Sequence, residues 1–297
     1  MCGIIGLLLK EPSLRPRLGE LMVPMLIGMT ERGPDSSGMA VFADAPAGEQ
    51  RKLSLYCAQP GFEWRALEGA WIGELGEAQF AANANHCIVT TGSDVAAARE
   101  WIARHFPQVH VLSAGRSIDL YKDIGLPAEV AARYHFQTLA GTHLVGHTRM
   151  ATESAVTLEN AHPYTAGEDW CLVHNGSLAN PGSLRRRLEK LGERFESDCD
   201  TEGACRYLHW RLSRGETLEQ AIEHAFSDFD GFFTFLMGTR DKLALVRDPF
   251  ACKPAVVAET DDYVAIASEF RSLAHLPGVR HASVFEPKPA EVYSWSV

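Results

Sequence analysis

The sequence lacks most of what would tie a chain to a metal cluster, a nucleotide or a polyanion. Its 7 cysteines in 297 residues form no CxxC pair. Their odd number and wide scatter read as free thiols of a reducing compartment, not as disulfides, zinc ligands or an iron–sulfur site. There is no HExxH motif, no GxGxxG and no phosphate loop, so neither a metal nor a nucleotide cofactor is expected in this chain. Positive charge is in deficit, with 28 Lys and Arg against 38 Asp and Glu for a formal charge of -10. That is the wrong sign for phosphate backbones or anionic lipid, and it argues against nucleic acid and membrane partners. The longest apolar stretch, Leu18 to Met29, contains Glu20 and falls short of the roughly 20 residues needed to cross a bilayer. The opening MCGIIGLLLK has no charged segment ahead of its apolar run and does not read as a signal peptide. A cytoplasmic protein is the expectation. Hydrophobic residues make up 46% of the chain, enough for a sizeable core in one large domain or two small ones.

Periodicity places the first buried strand at Cys2 to Leu9. Leu14, Leu18, Leu21, Met22, Met25, Leu26 and Met29 recur at helical spacing, with Pro24 as a kink point, and the turn chemistry of RGPDSSG (Arg32 to Gly38) closes that helix. Strands are expected at Met39 to Ala43, Lys52 to Cys57, His86 to Thr91 and Val109 to Ser113, and a helix over Asp94 to His105 with Ser93 as its N-cap. After Gly141 strands are read at Leu144 to Arg149 and Trp170 to His174, then helices near Leu184 to Leu191, Thr201 to Leu212 and Leu218 to Phe226. Further strands fall at Phe232 to Met237, Leu243 to Arg247, Ala255 to Ala258 and Tyr263 to Ala267. Strands in runs with helices grouped between them suggest an α+β fold of two packed sheets covered by helices. A four-layer αββα sandwich fits, although periodicity does not select it over other α+β arrangements. No repeat or linker divides residues 1–297, and the region of about 45–140 reads as an α/β insertion, either a partner-docking element or an elaboration of the sandwich.

One residue carries an unusual chemical option. Cys2 follows the initiator methionine, and a side chain this small permits removal of Met1. A thiol and an α-amine would then share one residue. An α-amine has a reference pKa of about 7.7 to 8.0, so part of it is neutral near pH 7 and can act as base for its own thiol.

Six motifs in register surround this option: MCGIIG at the start, RGPDSSG at Arg32 to Gly38, GHTRMAT at Gly146 to Thr152, NAHPY at Asn160 to Tyr164, HNGSL at His174 to Leu178 and DTE at Asp200 to Glu202. Together they resemble the glutamine-hydrolysing domain of class II glutamine amidotransferases, which are N-terminal-nucleophile hydrolases, and RDPFACKP (Arg247 to Pro254) and IASE (Ile266 to Glu269) resemble that family's C-terminal half. The resemblance implies the four-layer αββα fold and a catalytic Cys2, with Asn175 and Gly176 forming an oxyanion hole. It also implies that Arg149 binds the substrate α-carboxylate and Asp200 the α-ammonium, with Asp198 as a competitor for the latter role. Arg32 would orient the N-terminal residue, and Thr152 and His162 would line the glutamine pocket. These residue types suit the substrate. An arginine fork can bind a carboxylate through two parallel hydrogen bonds, and a glycine lets backbone approach the reacting centre. Met150 stands where many relatives carry tryptophan, giving a softer wall. The run RRRLEK at Arg185 to Lys190 reads as a solvated helix face.

Lys122 to Tyr134, Gly146 to Thr157 and Asp248 to Leu273 are most similar to stand-alone, glutamate-synthase-like amidotransferase subunits, nearest to that of N-methylglutamate synthase. The resemblance implies a hetero-oligomer in which this chain supplies ammonia or glutamyl nitrogen. Separate synthase subunits would hold any flavin and iron–sulfur centres. The alternatives are an amidotransferase for another acceptor, or a non-catalytic glutamine-sensing subunit.

Overall fold

The computed structural model describes residues 2–151 and 155–297. In chain order the elements are β1 (Gly3–Leu9), a 3-10 turn (Pro12–Arg17), α1 (Leu18–Gly28), β2 (Ser36–Phe42), β3 (Arg51–Cys57), α2 (Trp64–Leu75), β4 (Ala78–Asn83), β5 (His86–Thr91), α3 (Val95–His105) and β6 (Val109–Gly115). They continue with β7 (Ile118–Ile124), α4 (Pro127–Arg133), β8 (His143–Arg149), β9 (Tyr164–Thr165), β10 (Trp170–Leu178), α5 (Pro181–Glu189), α6 (Asp200–Ser213) and α7 (Leu218–Asp228). The last are β11 (Gly231–Thr239), β12 (Lys242–Arg247), β13 (Val256–Glu259), β14 (Tyr263–Ala267), β15 (Ser283–Phe285) and β16 (Val292–Ser296).

Two sheets stack face to face. The first runs β15-β13-β14-β1-β8-β2-β7 and the second β16-β12-β11-β10-β9. Every residue of β1 is buried, as expected for a central strand with both faces covered. Its two faces serve different layers. Ile4 and Leu8 join Phe42, Val145, Val173, Leu236 and Leu245 between the sheets, whereas Ile5, Leu7 and Leu9 meet Leu21, Met22, Met25 and Leu26 of α1 on the outside. The outer face of the second sheet is closed by α5, α6 and α7 through Leu184, Leu208 and Ile222 packed on Phe233 and Phe235. The order helix, sheet, sheet, helix is the expected four-layer sandwich.

The expected insertion of about 45–140 divides in two. Residues 51–115 fold as βαββαβ with strand order β4-β5-β3-β6, all antiparallel, a split-βαβ unit. Its core sets Leu53, Leu55, Cys87 and Val89 against Trp71 of α2 and Trp101 of α3, so both helices cover one face. The opposite face lies on β7, where Ser54 Oγ accepts from Leu120 N at 2.9 Å and Lys52 pairs with Asp119 at 2.7 Å. The remainder returns to the sandwich: β7 pairs with β2, and α4 packs beside α1, where Val130 and Ala131 join its apolar cluster. Ser93 is not the cap of α3. Asp94 takes that place, its carboxylate accepting from Ala97 N at 2.8 Å, while Ser93 Oγ donates to Leu75 O.

Candidate active site

Strand β1 brings the chain start to the middle of the first sheet, with β14 and β8 on either side. The anchoring is tight just behind Cys2. Ile4 N donates to Ser268 Oγ and Ser268 N returns a bond to Ile4 O, each at 3.0 Å. The Cys2 carbonyl oxygen is held from two sides, by Arg32 Nε at 3.0 Å and by Asn175 Nδ2 at 3.1 Å. Its Sγ lies 3.9 Å from Met150 O.

Arg32 reaches Cys2 because the loop after α1 passes unusually close to the end of β8. A Cβ built on Gly33 would fall 2.3 Å from the Thr148 carbonyl carbon, a backbone approach open only to glycine. The Arg32 guanidinium is buried and continues to Glu269 at 2.9 Å. Glu269, the last residue of IASE, is thus part of the site's frame, a role its motif alone does not mark. Its pKa is lowered by the hydrogen bond from Arg32, with Arg271 also contributing, against a smaller opposing effect of burial. Asp35 is a second unforeseen support. Its carboxylate accepts from Ala151 N at 2.7 Å and its backbone N–H donates to Arg149 O at 3.0 Å, fixing the strand end from which Arg149 projects. Arg149 is itself buried, and its Nη1 donates to Ala155 O. Thr152 and Met1 lie outside the described residues.

The other half of the site comes from the second sheet. Asn175 and Gly176 lie on β10 opposite Thr234 and Phe233 of β11. Gly176 is required there: a Cβ would sit 2.1 Å from Phe232 O and 2.6 Å from His174 Nε2. Asp200 begins α6, where a carboxylate also meets the positive end of the helix. It reaches back to β10 and accepts from Leu178 N at 2.9 Å. Burial works to raise its pKa, but hydrogen bonds and charge from His174, together with those from Leu178 N and Thr201, hold it well below the ordinary carboxylate value. Asp198 does not compete. Its side chain is fully exposed and pairs with Arg185 at 2.9 Å, which also places part of the RRRLEK run in a surface ion pair.

Three buried histidines underlie this side. The rings of His147 and His162 stack at 4.0 Å. His162 Nε2 and His174 Nδ1 meet Thr201 Oγ1 at 2.9 and 3.0 Å, and Thr201 donates to Asp200 at 3.2 Å. A hydroxyl has one proton and two lone pairs. With the proton directed to Asp200, both imidazoles must donate to Thr201. Burial first, then neighbouring positive charge, pushes the pKa of His162 well down, and burial brings that of His147 to about 3. His162 therefore supports Asp200 through Thr201. Thr201 and His174, both inside the quoted motifs, are the linking groups that the sequence did not single out.

His143 and His147 have HxxxH spacing, but on a strand and committed elsewhere. His143 bonds Thr239 O and stacks on Phe42, and His147 bonds His174 O. Among the described residues no group of three or more His, Cys, Asp or Glu is placed to hold a metal, and no helix is long and apolar enough to cross a membrane.

A thiol at the start of a central strand, an adjacent amide donor beside a cramped glycine, a buried arginine and a low-pKa carboxylate form a set suited to acyl transfer from an amino-acid amide. Known proteins agree in kind. A family profile described as "Glutamine amidotransferase domain" matches residues 147–275. The chain is 47% identical over 297 residues to the glutamine amidotransferase-like protein GlxB of Rhizobium meliloti, covering 99% of this chain and 98% of that one. A second full-length relative, from Methanothermobacter thermautotrophicus, is 32% identical over 99% of both chains. Among solved structures, the glutamine phosphoribosylpyrophosphate amidotransferase from B. subtilis superposes with a TM-score of 0.62 at 20% identity, covering 99% of this chain and 47% of its own. That likeness is one of fold, the N-terminal-nucleophile hydrolase sandwich, and this chain spans about half the length of that enzyme.

Proposed function

The chain belongs to the class II glutamine amidotransferases, and from that premise we propose that it hydrolyses glutamine to glutamate and ammonia through a thioester on Cys2. The observation that supports this reading is the double hold on the Cys2 carbonyl by Arg32 and Asn175, which fixes residue 2, at the head of β1, beside Asn175 of β10.

Once Met1 is removed, the α-amine takes the Cys2 thiol proton and the thiolate attacks the side-chain carbonyl carbon of glutamine. Asn175 has a second N–H beyond the one given to Cys2. With the Gly176 backbone N–H it meets the oxyanion of the tetrahedral intermediate. The protonated amine returns its proton to the leaving nitrogen, ammonia departs, and a γ-glutamyl thioester remains. Water deprotonated by the same amine then cleaves the thioester and restores the thiol. Arg149 binds the α-carboxylate and Asp200 the α-ammonium, with Thr152 and His162 as further pocket residues. Arg32 keeps residue 2 in line. No step needs a cofactor in this chain.

Ammonia released to water is protonated and lost as a nucleophile, so the product is passed to a separate synthase. The glutamate-synthase-like character of the Lys122 to Tyr134 and Asp248 to Leu273 segments supports N-methylglutamate synthase as the assembly, its other subunits carrying flavin and iron–sulfur centres. The test is glutamate release by the wild type and Cys2→Ala, alone and with copurified partners, beside the intact mass of the N-terminus. Loss of activity in Cys2→Ala together with absence of Met1 is expected. Retained Met1 with equal activity in both proteins would overturn the reading.

A further inference from the structure

A cavity of about 440 Å³ lies at the joint between the split-βαβ unit and the sandwich. Its volume falls in the range of small-molecule sites. One wall is α3 and β6, and the other is β9, α6 and the segment 158–167, with Lys122 of β7 between them.

The charges lining it are unevenly committed. Among the acids, Glu202 accepts from Glu196 N, Ser197 N and Arg206, Asp94 caps α3, Glu168 pairs with Arg51, and Glu159 is bonded by Thr157. Arg206 is occupied by Glu202 and Glu193. Two cations remain. Lys122 is buried at 7% exposure, and its Nζ has one hydrogen-bond acceptor, Ala161 O at 2.9 Å, with the Tyr164 ring 5.0 Å away. An ammonium has three donors, and no carboxylate pairs with this one among the described residues. The side chain of half-buried Arg99 likewise makes no ion pair or hydrogen bond among the described residues, and feels Glu196 only as a nearby charge. Among the described residues the remaining acid of the lining is Glu196, which is exposed and whose charge acts on both Lys122 and Arg99 without a direct ion pair to either.

A buried ammonium without a counter-ion is costly. Burial lowers the pKa of Lys122 to about 8, opposed by Glu196 and Glu202, so the amine is still mostly charged near neutral pH. The apolar remainder of the lining, Leu112, Leu158, Pro163 and the Tyr164 ring, suits a short carbon skeleton between two anionic ends. We propose that this cavity is a binding site for a small dicarboxylate, one carboxylate set on Lys122 and the other on Arg99, which ties α3 of the split-βαβ unit to β7 of the sandwich. This site is separate from Cys2, and its occupancy is read without catalysis.

The experiment is calorimetry and thermal melting of the full chain with succinate and glutarate, with inorganic phosphate as the competing anion. The expected result is saturable binding of a dicarboxylate that raises the melting temperature, weakened at least tenfold in Lys122→Met and in Arg99→Ala, and equal or tighter in Glu196→Gln. Arg99 is half-exposed on α3, so its variant tests the idea even where Lys122→Met does not fold. Absence of saturable dicarboxylate binding to the wild type, phosphate binding as tight as the dicarboxylates, or unchanged affinity in Arg99→Ala would overturn the assignment.

Discussion

Replacing Asn175 by alanine separates support of Cys2 from catalysis by it. The side chain is 2% exposed, and its Nδ2 is 3.1 Å from the Cys2 carbonyl oxygen. Truncation removes that bond, yet the carbonyl keeps Arg32 Nε at 3.0 Å, so no buried acceptor is orphaned. The loss in stability is then that of an ordinary hydrogen bond, about 0.5–1.5 kcal/mol. The effect on rate is much larger. One oxyanion donor is worth about 2.7–4 kcal/mol, or 10²- to 10³-fold in kcat. An interaction made only in the transition state changes kcat far more than KM. Steady-state glutamate release should therefore fall two to three decades in kcat with KM within about threefold, while urea melts show only the small destabilisation. A variant of near-normal stability whose kcat stays within tenfold of the wild type would refute the oxyanion role.

Asp200→Asn should raise the glutamine KM about tenfold to a hundredfold, the range expected for a charge-assisted contact of about 1.5–3 kcal/mol. Asp198→Asn should leave KM unchanged, because that side chain is exposed and paired with Arg185; equal KM effects at both positions would contradict the assignment. Acid stability follows from the buried histidines. Burial lowers His86 and His147 to about 3 and His143 to about 4, and it pushes His162 well down. The unfolded chain protonates these groups below about pH 6.5 while the folded chain does not. Their stability contribution is thus full above that pH and declines as pH falls, by up to about 1.4 kcal/mol per histidine per pH unit. Thermal melts from about pH 7.5 to 5 should show a steep drop, and a flat profile would contradict the burial of neutral imidazoles.

Much of this architecture is legible in the residues because local and global preferences agree. The β1 run GIIGLLL is apolar on both faces and is buried on both, and Tyr263–Ala267 is a strand over the expected bounds. Where reading from the sequence stops, the cause is non-local. Trp64–Leu75 carries Gly69 and Gly73, which blur its helical stripe, and its burial depends on Trp71 meeting Trp101 at 5.7 Å across α3. Strand β7 belongs to the sandwich only through pairing with β2, about 80 positions earlier in register terms, a partner no window of sequence contains. The site shows the same division. Cys2, Arg32, Asn175 and Gly176 lie in quoted motifs and converge. Glu269, Asp35 and Thr201 act only through partners brought by the fold, so residue type alone did not mark them. Asp94 against Ser93 at the start of α3 is a local ambiguity, since both can cap.

Residue 2 is the proposed nucleophile, and its reactivity can be read directly. The full chain is treated with a glutamine analogue bearing a diazo ketone in place of the amide, and the adduct is located by intact mass and peptide mapping, with exposed Cys252 as an internal control for unspecific alkylation. One adduct per chain on Cys2, in a protein lacking Met1 and protected by glutamine, is the predicted result. An adduct on another residue that abolishes activity, with Cys2 unmodified, would contradict it.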